Sequence, residues 1–231
     1  MRESDIPEIL KLDLFRNMES ANFDRLMRGA YVQMFPPQVD LTQEGDRADF
    51  LHVLMSGSVE LYASWNGNDS TMAIVRPVST FILAATVRDA PYLMSSRTME
   101  KSRIIMLPSG DVRDVFDKDA GFARAVVTEL AQCYRSVVKS SKNLKLRSSI
   151  ERLANYMLRK SAEYGADEFR LPLEKRALAS YLGMTPENLS RAIKALGPYG
   201  VEVKGYDVRL TQKDDLTGLA KPTLGIDDQR F

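Results

Sequence analysis

The chain of 231 residues is poor in the side chains on which most metal and redox chemistry rests, with one cysteine, Cys133, and one histidine, His52. A single thiol excludes an internal disulfide and an iron–sulfur cluster held by four thiolates of one chain, and it fits a reducing cytoplasm. A single imidazole argues against a barrel enzyme, whose metal needs clustered histidine and carboxylate ligands. No catalytic residue and no metal ligand is therefore assigned, and the chain is read as a non-enzyme. No apolar run approaches the ~18 residues of a bilayer span, and the start MRESDIPEIL has no signal-peptide core. A cytoplasmic protein without membrane contact is expected. Glycine is absent between Asn68 and Ser109, so that stretch offers no glycine turn in which backbone amides close round a phosphate. An excess of one sign of charge is lacking too: 32 Lys and Arg stand against 31 Asp and Glu. That balance alone does not point to nucleic acid.

What is present is more pointed. With 44% hydrophobic and 27% charged residues, this is a folded globular chain long enough for two domains. Its charge is unevenly spread. Between positions 143 and 211, twelve Lys and Arg face eight Asp and Glu, in a chain whose net charge is only +1. This basic stretch contains residues 173–196, which read as a complete helix-turn-helix. Leu178, Ala179 and Leu182 share one face of a short first helix, and Gly183 supplies the tight turn. Thr185-Pro186-Glu187 opens the second helix with a capping hydroxyl, a proline at the first helical position and an acid in the first turn. Leu189, Ala192, Ile193 and Leu196 face back at the first helix, and Gly197-Pro198 ends it. The face left over carries Glu187, Asn188, Ser190, Arg191 and Lys194, which can hydrogen-bond base edges and phosphates in a major groove. The competing reading is an ordinary helical hairpin in a core.

Ahead of this motif the hydrophobic period changes twice. Residues near 6–28 read as short helices. Strand-like runs follow at 31–35, 51–55, 59–62, 71–75 and 102–107, punctuated by Pro36-Pro37, Ser56-Gly57, the hairpin turn Trp65-Asn66-Gly67-Asn68, and Pro108. Short strands between turns predict a small antiparallel barrel or jelly roll. From Ser109 the period becomes helical. Ala123, Val126, Leu130, Cys133, Val137 and Leu144, with Ser140, fall at alternating steps of three and four, a heptad seam for two parallel helices. One amphipathic helix packed on its own barrel gives the same pattern. Lys142-Asn143 reads as a hinge and residues 150–164 as a further helix closed by Gly165. The runs 201–203 and 206–210 form a hairpin that makes the DNA-binding unit a winged one. Beyond Asp214 the polar tail is expected to be partly disordered. The fold class is thus α+β: a sensory jelly roll (residues 1–118), a dimerisation helix and hinge (119–143), a winged helix-turn-helix (144–215) and a tail (216–231).

Barrel, long helix and winged helix-turn-helix, in that order, resemble the Crp–Fnr family of bacterial transcription regulators. Phe35-Pro36-Pro37, Glu44-Gly45-Asp46 and the run 51–59 (LHVLMSGSV) resemble its sensory barrel, and Glu151-Arg152-Leu153-Ala154 the start of its DNA-binding domain. Glu187-Asn188-Leu189-Ser190-Arg191 matches the E-x-x-S-R of the Fnr and FixK branches. The resemblance implies that a homodimer binds double-stranded DNA and acts on RNA polymerase. Glu187, Ser190 and Arg191 would read bases in a TTG half-site repeated as CAA across a palindrome. The fork of Arg191 suits the O6 and N7 acceptors of guanine, and Glu187 can accept from a cytosine amine. Lys175, Thr185, Asn188 and Lys204 resemble phosphate contacts. Pro186 departs from the Crp branch, which has arginine there, so a Crp-type half-site is not expected. The alternative for Arg191 is a surface ion pair with Glu187 at i, i+4.

The same resemblance frames the input. Cyclic-nucleotide binders of this fold hold ribose and phosphate with a Gly-Glu and an Arg-Ser pair. Here Thr80-Phe81 and Tyr92-Leu93 stand in those places, so cyclic AMP is not the expected effector. Arg88 or Arg97 remain as phosphate partners, or as solvated charges. The Fnr-type iron–sulfur switch needs several cysteines, and Cys133 reads as a small seam hydrophobe. His52, Tyr92 and Arg97 are the candidate effector residues. For His52 the functional reading is an axial haem ligand, as in gas-sensing relatives, and the alternative is a hydrogen-bonded barrel histidine. A regulatory cyclic-nucleotide-binding module working through protein contacts is the alternative function.

Overall fold

The computed structural model describes residues 6–228, which divide into two compact units between Cys133 and Tyr134. In the first unit, three short helices, α1 (Ile6–Ile9), α2 (Asp13–Arg16) and α3 (Ser20–Arg28), precede two four-stranded antiparallel sheets. One sheet is ordered β1 (Tyr31–Phe35), β8 (Ser102–Pro108), β3 (Phe50–Ser56), β6 (Ser79–Phe81); the other β2 (Asp40–Thr42), β7 (Ser95–Thr98), β4 (Val59–Trp65), β5 (Asn68–Val75). Helix α4 (Leu83–Arg88) follows β6, and α5 (Ser109–Lys118) follows β8.

Strand β3 explains this layering. Leu51, His52, Val53, Leu54 and Met55 are all buried, and because side chains alternate along a strand, both faces of its sheet need cover. Leu54, with Ile104 and Phe81 of the same sheet, packs between the sheets against Val59 and Val75. Leu51, Val53 and Met55, with Ile105 and Leu107, pack outward against Phe15, Leu26, Val112, Val115, Phe122 and Val126 of the helices. The long helix α6 (Ala120–Leu146) enters this outer core through Phe122 and Val126. Its first turn is capped by Asp119, whose Oδ1 accepts from the Phe122 amide at 2.9 Å while Oδ2 accepts from the Glu19 amide at 2.9 Å.

Several features differ from the sequence reading. Strands β2, β6 and β7 and helix α4 were not foreseen, being three to six residues long and rich in Ser and Thr. Backbone ladders pair these strands, and buried hydroxyls add to this: Thr42 and Ser96 share a hydrogen bond at 2.7 Å, and Thr98 Oγ1 donates to the Pro36 carbonyl at 2.7 Å. The helix from Ser109 is interrupted at Asp119. The Val126 seam position is corrected: it is fully buried in its own unit's core and has no surface for a partner. Leu130 packs partly against the same core.

In the second unit α6 continues unbroken through Lys142-Asn143, so the expected hinge there is replaced by a break after Leu146. Helix α7 (Ser149–Tyr164) begins at a capping box in which the Ser148 side chain accepts from the Glu151 amide and Glu151 accepts from the Ser148 amide. Gly165, at φ +62°, closes it. Then come β9 (Glu168–Arg170), α8 (Lys175–Tyr181), α9 (Pro186–Leu196), β10 (Val201–Lys204), β11 (Asp207–Leu210), α10 (Lys213–Ala220) and α11 (Leu224–Asp227). The wing is three-stranded, β9 pairing with β11 beside the expected hairpin. The tail is helical within the described residues, because Leu216 and Ala220 are buried.

Gly57, between β3 and β4, has φ +91°, and a side chain there would lie 2.7 Å from the Lys101 carbonyl oxygen. Gly57→Ala is expected to destabilise the barrel by about 1–3 kcal/mol, read from its denaturant midpoint.

Candidate nucleic-acid interface

The helix-turn-helix is built from local rules that the structure satisfies one by one. Leu178, Ala179 and Leu182 of the first helix and its turn are buried, as are Leu189, Ala192 and Leu196 of α9. Gly183 takes φ +64°, and the Leu144 side chain packs against the place where its Cβ would be. Thr185 caps α9 by accepting from the Asn188 amide at 3.2 Å, with Pro186 in the first turn.

These contacts turn one face of α9 outward. Thr185, Glu187, Ser190, Arg191 and Lys194 are exposed, and Lys175 at the start of α8 and Lys204 at the end of β10 are exposed too. Arg191 Nη2 donates to Asn188 Oδ1 and not to Glu187, so the i, i+4 ion pair is replaced by an i, i−3 hydrogen bond. Ser190 Oγ donates to the Pro186 carbonyl at 3.0 Å and keeps its acceptor lone pairs outward. The Glu187 carboxyl pKa is lowered by its own backbone amide first and by the Thr185 hydroxyl, with a further contribution from Arg191. A charged acceptor and a planar guanidinium donor thus stand exposed on one helix face, the chemistry needed to contact cytosine amines and guanine O6 and N7.

One positioning residue escaped the sequence reading. Arg152, in the first turns of α7, donates through Nε to the Leu182 carbonyl at 2.8 Å, through Nη2 to the Gly183 carbonyl at 3.2 Å and through Nη1 to the Arg147 carbonyl at 2.7 Å. It holds together the helix-turn-helix turn and the end of α6. The Ser148-x-x-Glu151 pattern marks the helix start, but nothing local distinguishes this arginine from a surface one.

The candidate effector residues are not brought together. His52 is 3% exposed, lies 5.0 Å from the Phe81 ring in a stacked arrangement, and pairs across the sheet with Met106 and Phe81. At that exposure the ring is enclosed by the barrel core, and nothing in its packing supports the axial-ligand reading. Its Nδ1 has no hydrogen-bond partner among the described residues. Arg97 sits on the outer face of β7, 3.0 Å from Glu60, 3.6 Å from Asp69 and 4.5 Å above the Tyr62 ring. Its charge is spent there and does not reach the barrel interior. Tyr92 is buried with Ala48 and Ala85. Thr80 Oγ1 donates to Glu129 of α6; burial raises the Glu129 pKa. Cys133 is exposed rather than buried, and partial desolvation, then Glu129, raises its pKa, which keeps it a thiol. Among the described residues no three His, Cys, Asp or Glu are grouped to hold a metal, and no helix is long and apolar enough to cross a membrane.

Comparison with known proteins follows this geometry. A model of the cyclic nucleotide-binding domain matches residues 32–119, and a model of the Crp-like helix-turn-helix domain matches residues 151–219. The chain is similar to the regulatory protein HlyX of Actinobacillus pleuropneumoniae, 24% identical over 186 residues, covering 76% of this chain and 75% of that one. It is similar to the probable transcriptional regulator flp of Lacticaseibacillus casei, 25% identical over 177 residues, covering 76% and 81%. In fold it is similar to FixK2 of Bradyrhizobium japonicum, with a TM-score of 0.72 at 19% identity, over 84% of this chain and 98% of that one.

Burial lowers the His52 pKa to about 4 from 6.5. The unfolded state therefore takes up a proton first, so the stability His52 preserves is complete above pH 6.5 and lost as pH falls toward 4. The loss over that window is about 3 kcal/mol. His52→Phe is expected to flatten this limb, checked by denaturant midpoints at pH 7 and pH 4.5; an unchanged pH dependence would place it elsewhere.

Proposed function

The chain belongs to the Crp–Fnr family of transcription regulators with a helix-turn-helix DNA-binding domain, and from that premise we propose that it binds, as a homodimer, a palindrome of the TTG…CAA type. The observation that carries this reading is the outward face of α9. Glu187 and Arg191 are exposed on one face and form no ion pair with each other. Glu187, Ser190 and Arg191 read bases, while Thr185, Asn188, Lys175 and Lys204 meet phosphates. Thr185 and Asn188 are already joined by the helix cap, which sets their spacing before DNA arrives.

Two-fold symmetry follows from α6. With Val126 turned into the core, the neighbouring apolar stripe runs through Ala123, Val127, Leu130, Tyr134 and Val137 at alternating steps of four and three, with Leu144 seven positions further on. Val127, Tyr134 and Val137 are 60%, 70% and 66% exposed. A second copy of the same stripe is the partner that two half-sites require. Cys133 lies beside this stripe, one position from Tyr134.

The controlling signal is an effector other than cyclic AMP. Where the nucleotide-binding fold uses a Gly-Glu pair, Phe81 is buried against His52 and Thr80 is bonded to Glu129. Ile82 takes the left-handed conformation, φ +65°, without glycine's freedom. The effector biases the spacing of the two recognition helices about the seam, and the dimer, working in the cytoplasm, recruits or blocks RNA polymerase at a promoter.

Retention on DNA with a steep log–log salt dependence is expected for the purified chain; a flat dependence would favour a module acting through protein contacts. Arg191→Ala should cost about 1–3 kcal/mol on a TTG-type palindrome and relax selectivity at the guanine. Equal binding by wild type and variant in a titration would remove Arg191 from base reading.

A further inference from the structure

The C-terminal residues after the wing fold back on α6. Helix α10 ends at Ala220, whose carbonyl accepts from Asn155 Nδ2 of α7 at 2.6 Å. Lys221, at φ +46°, turns the chain. Asp227 then accepts from the Thr223 amide at 2.7 Å. Both of its carboxylate oxygens receive Arg147, Nη1 to Oδ1 at 2.8 Å and Nη2 to Oδ2 at 2.5 Å. This bidentate pair is well buried, the side chains being 7% and 22% exposed. Arg147 also donates to Asn143 Oδ1 in the last turns of α6, at 3.1 Å. Two turns earlier, Lys139 Nζ donates to the Asp228 carbonyl at 2.6 Å. Burial opposes the Asp227 charge, yet the hydrogen bonds from Arg147 and the Thr223 amide hold its pKa below the usual carboxylate range.

The contact does not end at Arg147. Its carbonyl accepts from Arg152, which grips the carbonyls of Leu182 and Gly183 in the helix-turn-helix. Leu144, one turn before Arg147, packs on Gly183. A continuous series of hydrogen bonds and packing contacts thus joins the tail, the end of α6 and the turn that sets the angle of α9. Arg147 and Asp227 lie outside the stretches matched by the two domain families, 32–119 and 151–219.

We propose that the tail, residues 221–228, is a positioning strap for DNA recognition: by clasping Arg147 and Lys139 it fixes the winged domain on the end of α6 and so sets the half-site spacing that the dimer accepts. This rests on the two-fold reading above. The strap's hydrogen bonds go to Lys139 and Arg147 rather than to α9, so it acts on geometry and leaves the base contacts untouched. A half-site pair one base pair too close or too far then demands a strained clasp, whereas an unclasped domain swivels to reach it.

The test measures binding of the full chain to palindromes that carry the optimal spacer, or one base pair more or fewer, and to a single half-site. Asp227→Asn leaves the buried guanidinium without its charged partner. It is expected to weaken binding to the optimal palindrome about tenfold, to narrow the gap between optimal and altered spacers, and to leave half-site binding unchanged. Asp227→Glu, which restores the carboxylate, should recover most of the spacer preference. Thermal unfolding checks that each variant is folded; if Asp227→Asn is not, Lys139→Met loosens the strap at its other anchor and is read in the same way. Folded variants with the wild-type spacer preference, or with tighter binding to the optimal palindrome, would overturn the strap. A wild-type chain that prefers no spacer overturns the two-fold reading itself, and the strap with it.

Discussion

The arrangement of the first unit follows from one strand that cannot leave either face to water. Residues 51–55 of β3 are buried in sequence, so one side of their sheet requires a second sheet and the other requires helices. The second sheet carries hydroxyl hydrogen bonds beside its backbone ladders, as between Thr42 and Ser96, which lets polar residues occupy buried positions with partners. The helical side is closed by α1 to α3, α5 and the start of α6. Because Phe122 and Val126 are consumed in that closure, α6 presents its neighbouring stripe outward. Intramolecular packing thereby selects which side of the long helix remains for another molecule.

In the second unit the governing constraint is the turn at Gly183. A left-handed glycine brings two short helices together with no side chain in the gap, and Leu144 fills the space that the missing Cβ leaves. The carbonyls freed at that turn, those of Leu182 and Gly183, are satisfied by Arg152. The motif is therefore tied to α7 and to the end of α6 by the same hydrogen bonds that complete its backbone. Recognition chemistry is kept apart from this framework: Leu189, Ala192 and Leu196 hold α9 in place, while the exposed residues between them face outward.

The barrel shows the opposite economy of polar groups. Where an anion-binding turn would expose amides, this chain stacks Phe81 on His52, packs Tyr92 with Ala48 and Ala85, and bonds Thr80 to Glu129. Arg97, a cation available by sequence, is neutralised on the outer face by Glu60 and Asp69. In a barrel similar to the cyclic nucleotide-binding domain, these positions are taken up by the chain's own packing and ion pairs.

The sequence by itself determined the winged helix-turn-helix almost completely: Gly183, the Thr185 cap, Pro186 and the 3.6-residue spacing from Leu178 to Leu196 are local signals, and a helix start, a turn and an apolar face are local physics. The Asn66-Gly67 hairpin was legible for the same reason, both residues adopting positive φ. What only the tertiary structure decided was partnership across long separations. Short strands of Ser and Thr carry no usable period, so β2, β6 and β7 emerge only when their backbones pair with distant strands. A heptad states that α6 has an apolar face but not which flank its own barrel takes, and here Val126 is buried while Val127 is exposed. The tail looked polar and loose because Asp227 and Arg147 lie 80 positions apart, and a buried ion pair between such distant residues exists only once the chain has folded to bring them together.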